Sequence, residues 1–187
     1  MSAGPASAGG TSGDPVAALI TARIRNVPDF PQPGVQFKDL TPLFADGQAF
    51  RAVVDAIVRR YEPGSFDVVV GVEARGFLVA AAVGYAAGVG VVPVRKAGKL
   101  PWQAVSTEYA LEYGEATIEV HQDAFLGADQ ALIVDDVLAT GGTLAATAGL
   151  VHRAGGQVAG MSVLLELAVL GGRDRLSPYD LHSLLAV

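Results

Sequence analysis

The chain has 187 residues, 51% of them hydrophobic and 17% charged, which is enough apolar material for one ordinary domain with a substantial core. Its formal net charge of −6 argues against a nucleic-acid or anionic-membrane binder, because either needs a basic face that displaces counterions. It contains no cysteine, which excludes disulfides, thiolate metal sites and a cysteine nucleophile, and which fits a reducing cytoplasm.

Residues 1–13, "MSAGPASAGGTSG", carry neither a basic nor an apolar stretch, so they read as a flexible tail rather than a signal peptide. Residues 14–187 are then the expected single domain. Asp14 followed by Pro15 marks a helix start, a capping side chain before a proline at the first helical position, and the helix is expected to reach about Asn26. The next stretch, "VPDFPQPGVQFKDLTP", holds four prolines and is expected to be an ordered loop without regular structure. Phe30, Val35, Phe37 and Leu40 make it too apolar for a linker, so it should pack on the domain. Asp46 can cap a second amphipathic helix ending near Tyr61.

The remainder alternates as a parallel sheet does. Residues 66–72, "FDVVVGV", form a short apolar strand; "GFLVAAAVGYAA" a buried helix; "VGVVPVR" and "QALIVDD" two further strands; "GGTLAATAGLVHRAG" a helix; and "GQVAGMSVLLEL" a fourth strand. This is a doubly wound, mostly parallel α/β sheet flanked by helices. Residues 76–94 carry no charge, but their Ala, Gly and Pro content suits a buried helix and strand better than a membrane span. Between the second and third strands, "KLPWQAVSTEYALEYGEATIEVHQ" breaks the rhythm as an inserted β-hairpin, a candidate lid.

The segment "IVDDVLATGGT" (residues 133–143) concentrates the chemistry. Ligands bind outside the carboxyl ends of parallel strands, where Asp135 and Asp136 stand. The residues after them, Ala139, Thr140, Gly141, Gly142 and Thr143, lead into a helix start whose free amides favour an anion. Gly141 and Gly142 would let the backbone approach a phosphate, and the threonines add hydroxyls. Two carboxylates beside a phosphate need hydroxyl donors or a cation as partners, and ribose with Mg²⁺ supplies both. A capped strand-to-helix turn with two solvated aspartates stays open on the pattern alone. Neither a G-x-G-x-x-G nor a G-x-x-x-x-G-K-[ST] segment is present. His121, His152 and His182 are too scattered to suggest a protein-held metal.

Six motifs, "IRNVPDFPQPGVQFKDLTP", "GVEARGF", "RKAGKLP", "YALEYG", "IVDDVLATGGT" and "LGGRDRL", occur in the order seen in the type I phosphoribosyltransferases. From about Arg23 onward the chain resembles the branch of that family that uses adenine. The resemblance implies transfer of the 5-phosphoribosyl group of phosphoribosyl diphosphate (PRPP) to adenine, giving AMP and diphosphate. It also implies Mg²⁺ carried with PRPP rather than held by the protein, a cytoplasmic homodimer, and an N-terminal base-binding segment.

Residue by residue, the resemblance implies that 139–143 cradle the 5′-phosphate while Asp135 and Asp136 hold the ribose hydroxyls. Glu73, Ala74, Arg75 and Gly76 would grip diphosphate, and an arginine fork suits that ligand; a surface arginine is the default for any lone Arg, but the position after a strand and before Gly76 speaks against it. Arg95, Lys96 and Lys99 would grip it a second time; two of the chain's three lysines cluster here, which a solvated basic loop would also explain. Glu112 would handle a purine proton and Tyr113 help close the site, where a plain hairpin would simply alternate exposed and packed residues. Phe37 would stack on adenine, or else anchor the loop in the core, with backbone groups of Gln36 and Lys38 reading the base edge and Val137 packing on its other face. A transferase for xanthine or hypoxanthine, or a PRPP-sensing regulator on the same fold, would share most of these motifs.

Overall fold

The structure is a computed structural model that describes residues 14–110, 115–125 and 129–187. Helix α1 (Pro15–Thr21) opens on Asp14, whose carboxylate accepts from the Val16 amide as the sequence suggests. It ends earlier than expected. Arg23 turns away to pair with Asp46 at 2.6 Å, and Val27, which precedes a proline, belongs to strand rather than helix.

The proline-rich stretch is not wholly irregular, contrary to the sequence expectation. Strand β1 (Arg25–Pro28) pairs antiparallel with β2 (Gln36–Asp39), setting Val27 opposite Phe37. The two strands form a separate small sheet, and an isolated edge tolerates Pro28 because few ladder donors are required there. Asp29 closes the intervening loop by accepting from the Gly34 amide at 2.7 Å. A short helix, α2 (Thr41–Ala45), follows, and then α3 (Gly47–Arg60), capped by Asp46 through the amides of Gln48 and Ala49.

Among the described residues the main sheet has seven strands. β3 (Val68–Val72), β4 (Gly90–Lys96), β7 (Gln130–Leu138), β8 (Gln157–Glu166) and β9 (Leu181–Ala186) run parallel, in the spatial order β4-β3-β7-β8-β9. β5 (Ala104–Ala110) and β6 (Glu115–His121) form the inserted hairpin and extend the β4 edge antiparallel, with Arg95 opposite Glu119. The doubly wound, mostly parallel sheet is therefore as expected, with one strand more: β9 escapes a periodicity reading because His182 and Ser183 interrupt its apolar run.

Helices cover both faces. On one side α1, α3 and α4 (Gly76–Ala87) enclose a core that includes Ile20, Leu43, Ile57, Val69 and Leu132. On the other, α5 (Gly142–Arg153) packs Leu144, Ala148 and Val151 over Val70, Ile133 and Met161. No helix among the described residues is long and apolar enough to cross a membrane. After β8 come a 3₁₀ turn (Ala168–Leu170) and the four-residue helix α6 (Gly172–Arg175).

β3 touches α4 so closely that a side chain on Gly71 would bring its Cβ to 2.6 Å from that of Ala80. Gly149, within α5, has open space around its α-carbon. Gly71→Val is expected to destabilise the fold by about 1–3 kcal/mol through overpacking. Gly149→Ala is expected to stabilise it by about 0.5–1 kcal/mol through helix propensity. Urea midpoints of the two variants check the signs.

Candidate active site at the switch point of the sheet

From β3 the chain crosses through α4 to β4 on one side, while β7 lies on the other side of β3 and leads away to β8 and β9. The connections therefore diverge at β3 and β7, the place where open parallel sheets bind ligands. Residues 73–76 leave the carboxyl end of β3, and residues 139–143 leave that of β7. Above them lies a cleft of about 660 Å³, roofed by the β1–β2 arm and flanked by Tyr109 of the hairpin.

The cleft floor carries the two carboxylates. Asp135 accepts from the Asp136 amide at 2.9 Å, and its Oδ1 lies against the α-carbon of Gly76, where a Cβ would come within 2.7 Å. Burial, together with the neighbouring Asp136 charge, pushes the Asp135 carboxyl well above its ordinary value. Burial raises Asp136 too, opposed by Arg75, whose Nε lies 2.6 Å from its Oδ2. The same guanidinium sits 5.3 Å over the Phe37 ring, in cation–π range. Phe37 is half-buried in the cleft wall, edge-on to Phe30 at 5.1 Å, rather than anchored in the core.

Residues 139–143 form the turn into α5. Gly141 has the left-handed φ of +78°, and a Cβ on it would approach the Gly172 carbonyl oxygen to 2.5 Å. Glycine is thus required by backbone conformation and by close contact with Gly172, a cause different from the phosphate approach read from the sequence. Beyond Gly141 the first amides of α5 have no intrahelical acceptor, as at any helix start. Thr143 Oγ1 lies 3.4 Å from the Tyr109 hydroxyl.

The cleft lining gathers Gln36, Phe37, Lys38, Glu73, Ala74, Arg75, Asp135, Asp136, Val137, Ala139 and Thr143. Thr140, Gly141 and Gly142 continue the same turn, and Gly76 is buried behind Asp135. The Lys96 amide donates to Glu73 and, with Arg95 3.4 Å away, holds its carboxyl below the ordinary value and braces β3 against β4. Arg95 donates to the Lys99 carbonyl; this basic loop lies beside the cleft and outside its lining. Glu112 and Tyr113 fall outside the described residues. Sequence reasoning missed Tyr109, Leu167 and Leu170, which also line the cleft. Tyr109 stands inside the quoted "YALEYG" motif and Leu170 opens "LGGRDRL", so a signal was present for both, whereas Leu167 looks like any strand end.

The raised Asp135 carboxyl ties the stability of the fold to pH. A carboxyl that titrates higher in the folded than in the unfolded chain contributes stability at low pH that is lost as pH rises through the raised value. Asp135→Asn keeps the acceptor for the Asp136 amide and removes the charge. It is expected to raise the thermal midpoint at pH 7.5, by about 2–4 °C per kcal/mol of relieved burial penalty. The gain over wild type should narrow as pH falls towards the ordinary carboxylate range, which thermal melts across a pH series measure.

The sequence model of the phosphoribosyl transferase domain matches residues 42–184. A protein of Salinispora arenicola named adenine phosphoribosyltransferase is 67% identical over 178 residues, covering 95% of each chain. One of that name from Acidothermus cellulolyticus is 56% identical, covering 92% of this chain and 97% of its own. The crystal structure of adenine phosphoribosyltransferase from Thermoanaerobacter pseudethanolicus superposes with a TM-score of 0.88 at 46% identity, covering 91% of this chain and 99% of that one. The Saccharomyces cerevisiae enzyme, solved with an imino-altritol bisphosphate and adenine, gives 0.85 at 35% identity, covering 90% and 98%. The chain belongs to the phosphoribosyl transferase domain family and, within it, to the adenine phosphoribosyltransferases.

Proposed function

We propose that the protein is a purine-salvage enzyme that transfers the 5-phosphoribosyl group of PRPP to N9 of adenine, giving AMP and diphosphate. One observation carries this reading: a single cleft joins an aromatic platform at Phe37, a carboxylate pair, and a glycine turn at a helix start. Those are the partners a base, a ribose and a phosphate require, in the order in which AMP connects them.

In this reading the amides of 139–143 hold the 5′-phosphate, and Asp135 and Asp136 accept hydrogen bonds from the ribose hydroxyls. Arg75 leaves its ion pair with Asp136 to meet the diphosphate, joined from the side by Arg95, Lys96 and Lys99. Ala74 and Gly76 contribute backbone to the same grip, and Glu73 braces it. The base lies between Phe37 and Val137, with backbone groups of Gln36 and Lys38 at its edge. The C1′–oxygen bond to diphosphate breaks as the bond from C1′ to N9 forms, and the purine proton passes to Glu112. Tyr109 and Tyr113 shield the cationic sugar from water.

Among the described residues no cluster of three or more His, Cys, Asp or Glu could hold a metal ion. The oxygen donors of Asp135 and Asp136 suit Mg²⁺ that arrives on PRPP oxygens. That ion would neutralise charge on the departing diphosphate. Residues 14–187 would act as one domain in the cytoplasm. The α4 face that exposes Leu78 and Tyr85, 52% and 90% accessible, is the surface we assign to a homodimer contact.

Diphosphate release from PRPP, followed with adenine, guanine, hypoxanthine and xanthine in parallel, tests the assignment. Turnover with adenine at least about 100-fold above the other bases is expected, since a site built for one hydrogen-bonding edge leaves its own groups unpaired against the wrong one. Preference for a 6-oxopurine would replace the reading with that of another purine transferase. A folded protein that binds PRPP and turns over none of the four would favour a PRPP sensor.

A further inference from the structure

The "LGGRDRL" motif touches the cleft through Leu170 and the Gly172–Gly141 contact, while its arginines stand outside the lining. Gly171, at a left-handed φ of +63°, ends the 3₁₀ turn after β8 and starts α6. The backbone of Gly172 then packs directly on the phosphate turn. A Cβ on Gly172 would overlap the Ala139 carbonyl oxygen and lie 2.9 Å from the Gly141 nitrogen, while a Cβ on Gly141 would meet the Gly172 carbonyl. Two backbones in such contact have no slack, so the position of one fixes that of the other.

Arg173 sets the position of Gly172. Its Nε donates to Glu166 Oε1 at 2.9 Å, its Nη2 to Glu166 Oε2 and to Ser183 Oγ, and its Nη1 to the Leu181 carbonyl at 3.0 Å. Ser183 donates in turn to Glu166 Oε2 at 2.7 Å. Glu166 is buried, and the Arg173 fork holds its carboxyl below the ordinary value, with help from Ser183. On the sheet Glu166 is the ladder partner of Leu138, the residue before the turn, and the Leu167 amide donates to the Leu138 carbonyl at 2.9 Å. The clamp thus grips the strand beside the phosphate turn and, through Gly172, the turn itself.

Stability alone is a poor account of this clamp. A buried ion pair gains little over apolar residues of similar volume, and Val163, Leu165, Leu184 and Leu185 already join β8 and β9 to the core. What a planar guanidinium on three acceptors supplies is direction. We propose that Arg173, locked by Glu166 and Ser183, is a positioning residue for the 5′-phosphate: by fixing Gly172 against Ala139 and Gly141 it holds the phosphate-binding amides in their working geometry. The proposal rests on the reading of 139–143 as the phosphate cradle.

The test measures Kd for AMP, PRPP and adenine by calorimetry on wild type, Arg173→Met, Arg173→Lys and Gly172→Ala, with thermal midpoints alongside. Arg173→Met is expected to weaken AMP and PRPP by about tenfold or more, because displacement of a binding group by about 1 Å costs on that scale, while leaving adenine affinity unchanged. Gly172→Ala, which pushes on the turn directly, should give the same phosphate-selective loss. Arg173→Lys, which keeps the charge but loses the fork, should fall between Met and wild type, and it carries the test if the Met variant does not fold. Equal losses for adenine and AMP, or unchanged AMP affinity in folded variants, overturn the positioning role. Failure of wild type to bind AMP or PRPP overturns the cradle reading itself, and the proposal with it.

Discussion

Two adjacent carboxylates at the end of a central strand are hard to keep charged. Asp135 and Asp136 lie on the cleft floor between β3 and the β7–α5 turn, where burial raises the cost of ionising both and the Asp136 charge adds to the cost for Asp135. Arg75 answers part of that cost from the next strand over. Much of the surrounding architecture follows from this pair. β3 and β7 must be neighbours, Gly76 must lack a side chain to let Asp135 in, and Arg75 must be long enough to reach Asp136 while covering Phe37. A ligand that brings hydroxyls to the carboxylates and anionic oxygens to the guanidinium satisfies both at once, and a phosphoribosyl diphosphate is such a ligand.

The remaining elements set distances around that centre. The β1–β2 arm carries Phe37 over the cleft and is held down through the Arg23–Asp46 pair and the cap of α3. Glu73 ties the ends of β3 and β4 together, so the two basic loops share a brace. The hairpin extends the same sheet, which places Tyr109 beside Thr143 without a separate domain. The protein is in this sense a rigid sheet edge with loops tuned around it, the usual division of labour between scaffold and site.

Much of this was legible in the sequence because strand, turn and helix signals agree there. Asp46 and Asp14 cap the helices they were expected to cap, α4 has the bounds of its apolar run, and the carboxylates fall at a strand's carboxyl end. The misses have physical causes. The β1–β2 pair was hidden by prolines that forbid central strands but not edges, and β9 by His182 and Ser183, the second of which is buried and accepts from Arg173. A further constraint on Gly141 stayed hidden because its contact, Gly172, is distant in sequence, and no local pattern records a backbone meeting another backbone. Leu167 and Leu170 enter the cleft because β8 ends beside β7 and the 3₁₀ turn follows directly.

The most direct measurement of the central claim is the affinity of Arg75→Ala for PRPP and for AMP, by titration calorimetry. The two ligands share ribose and 5′-phosphate and differ at C1′, so they separate a diphosphate partner from a general support of the cleft. The account predicts that PRPP affinity falls by about tenfold or more, as for loss of a charge-assisted contact, while AMP affinity holds. Equal loss of both ligands, or of neither, would contradict the transfer of Arg75 from Asp136 to the diphosphate.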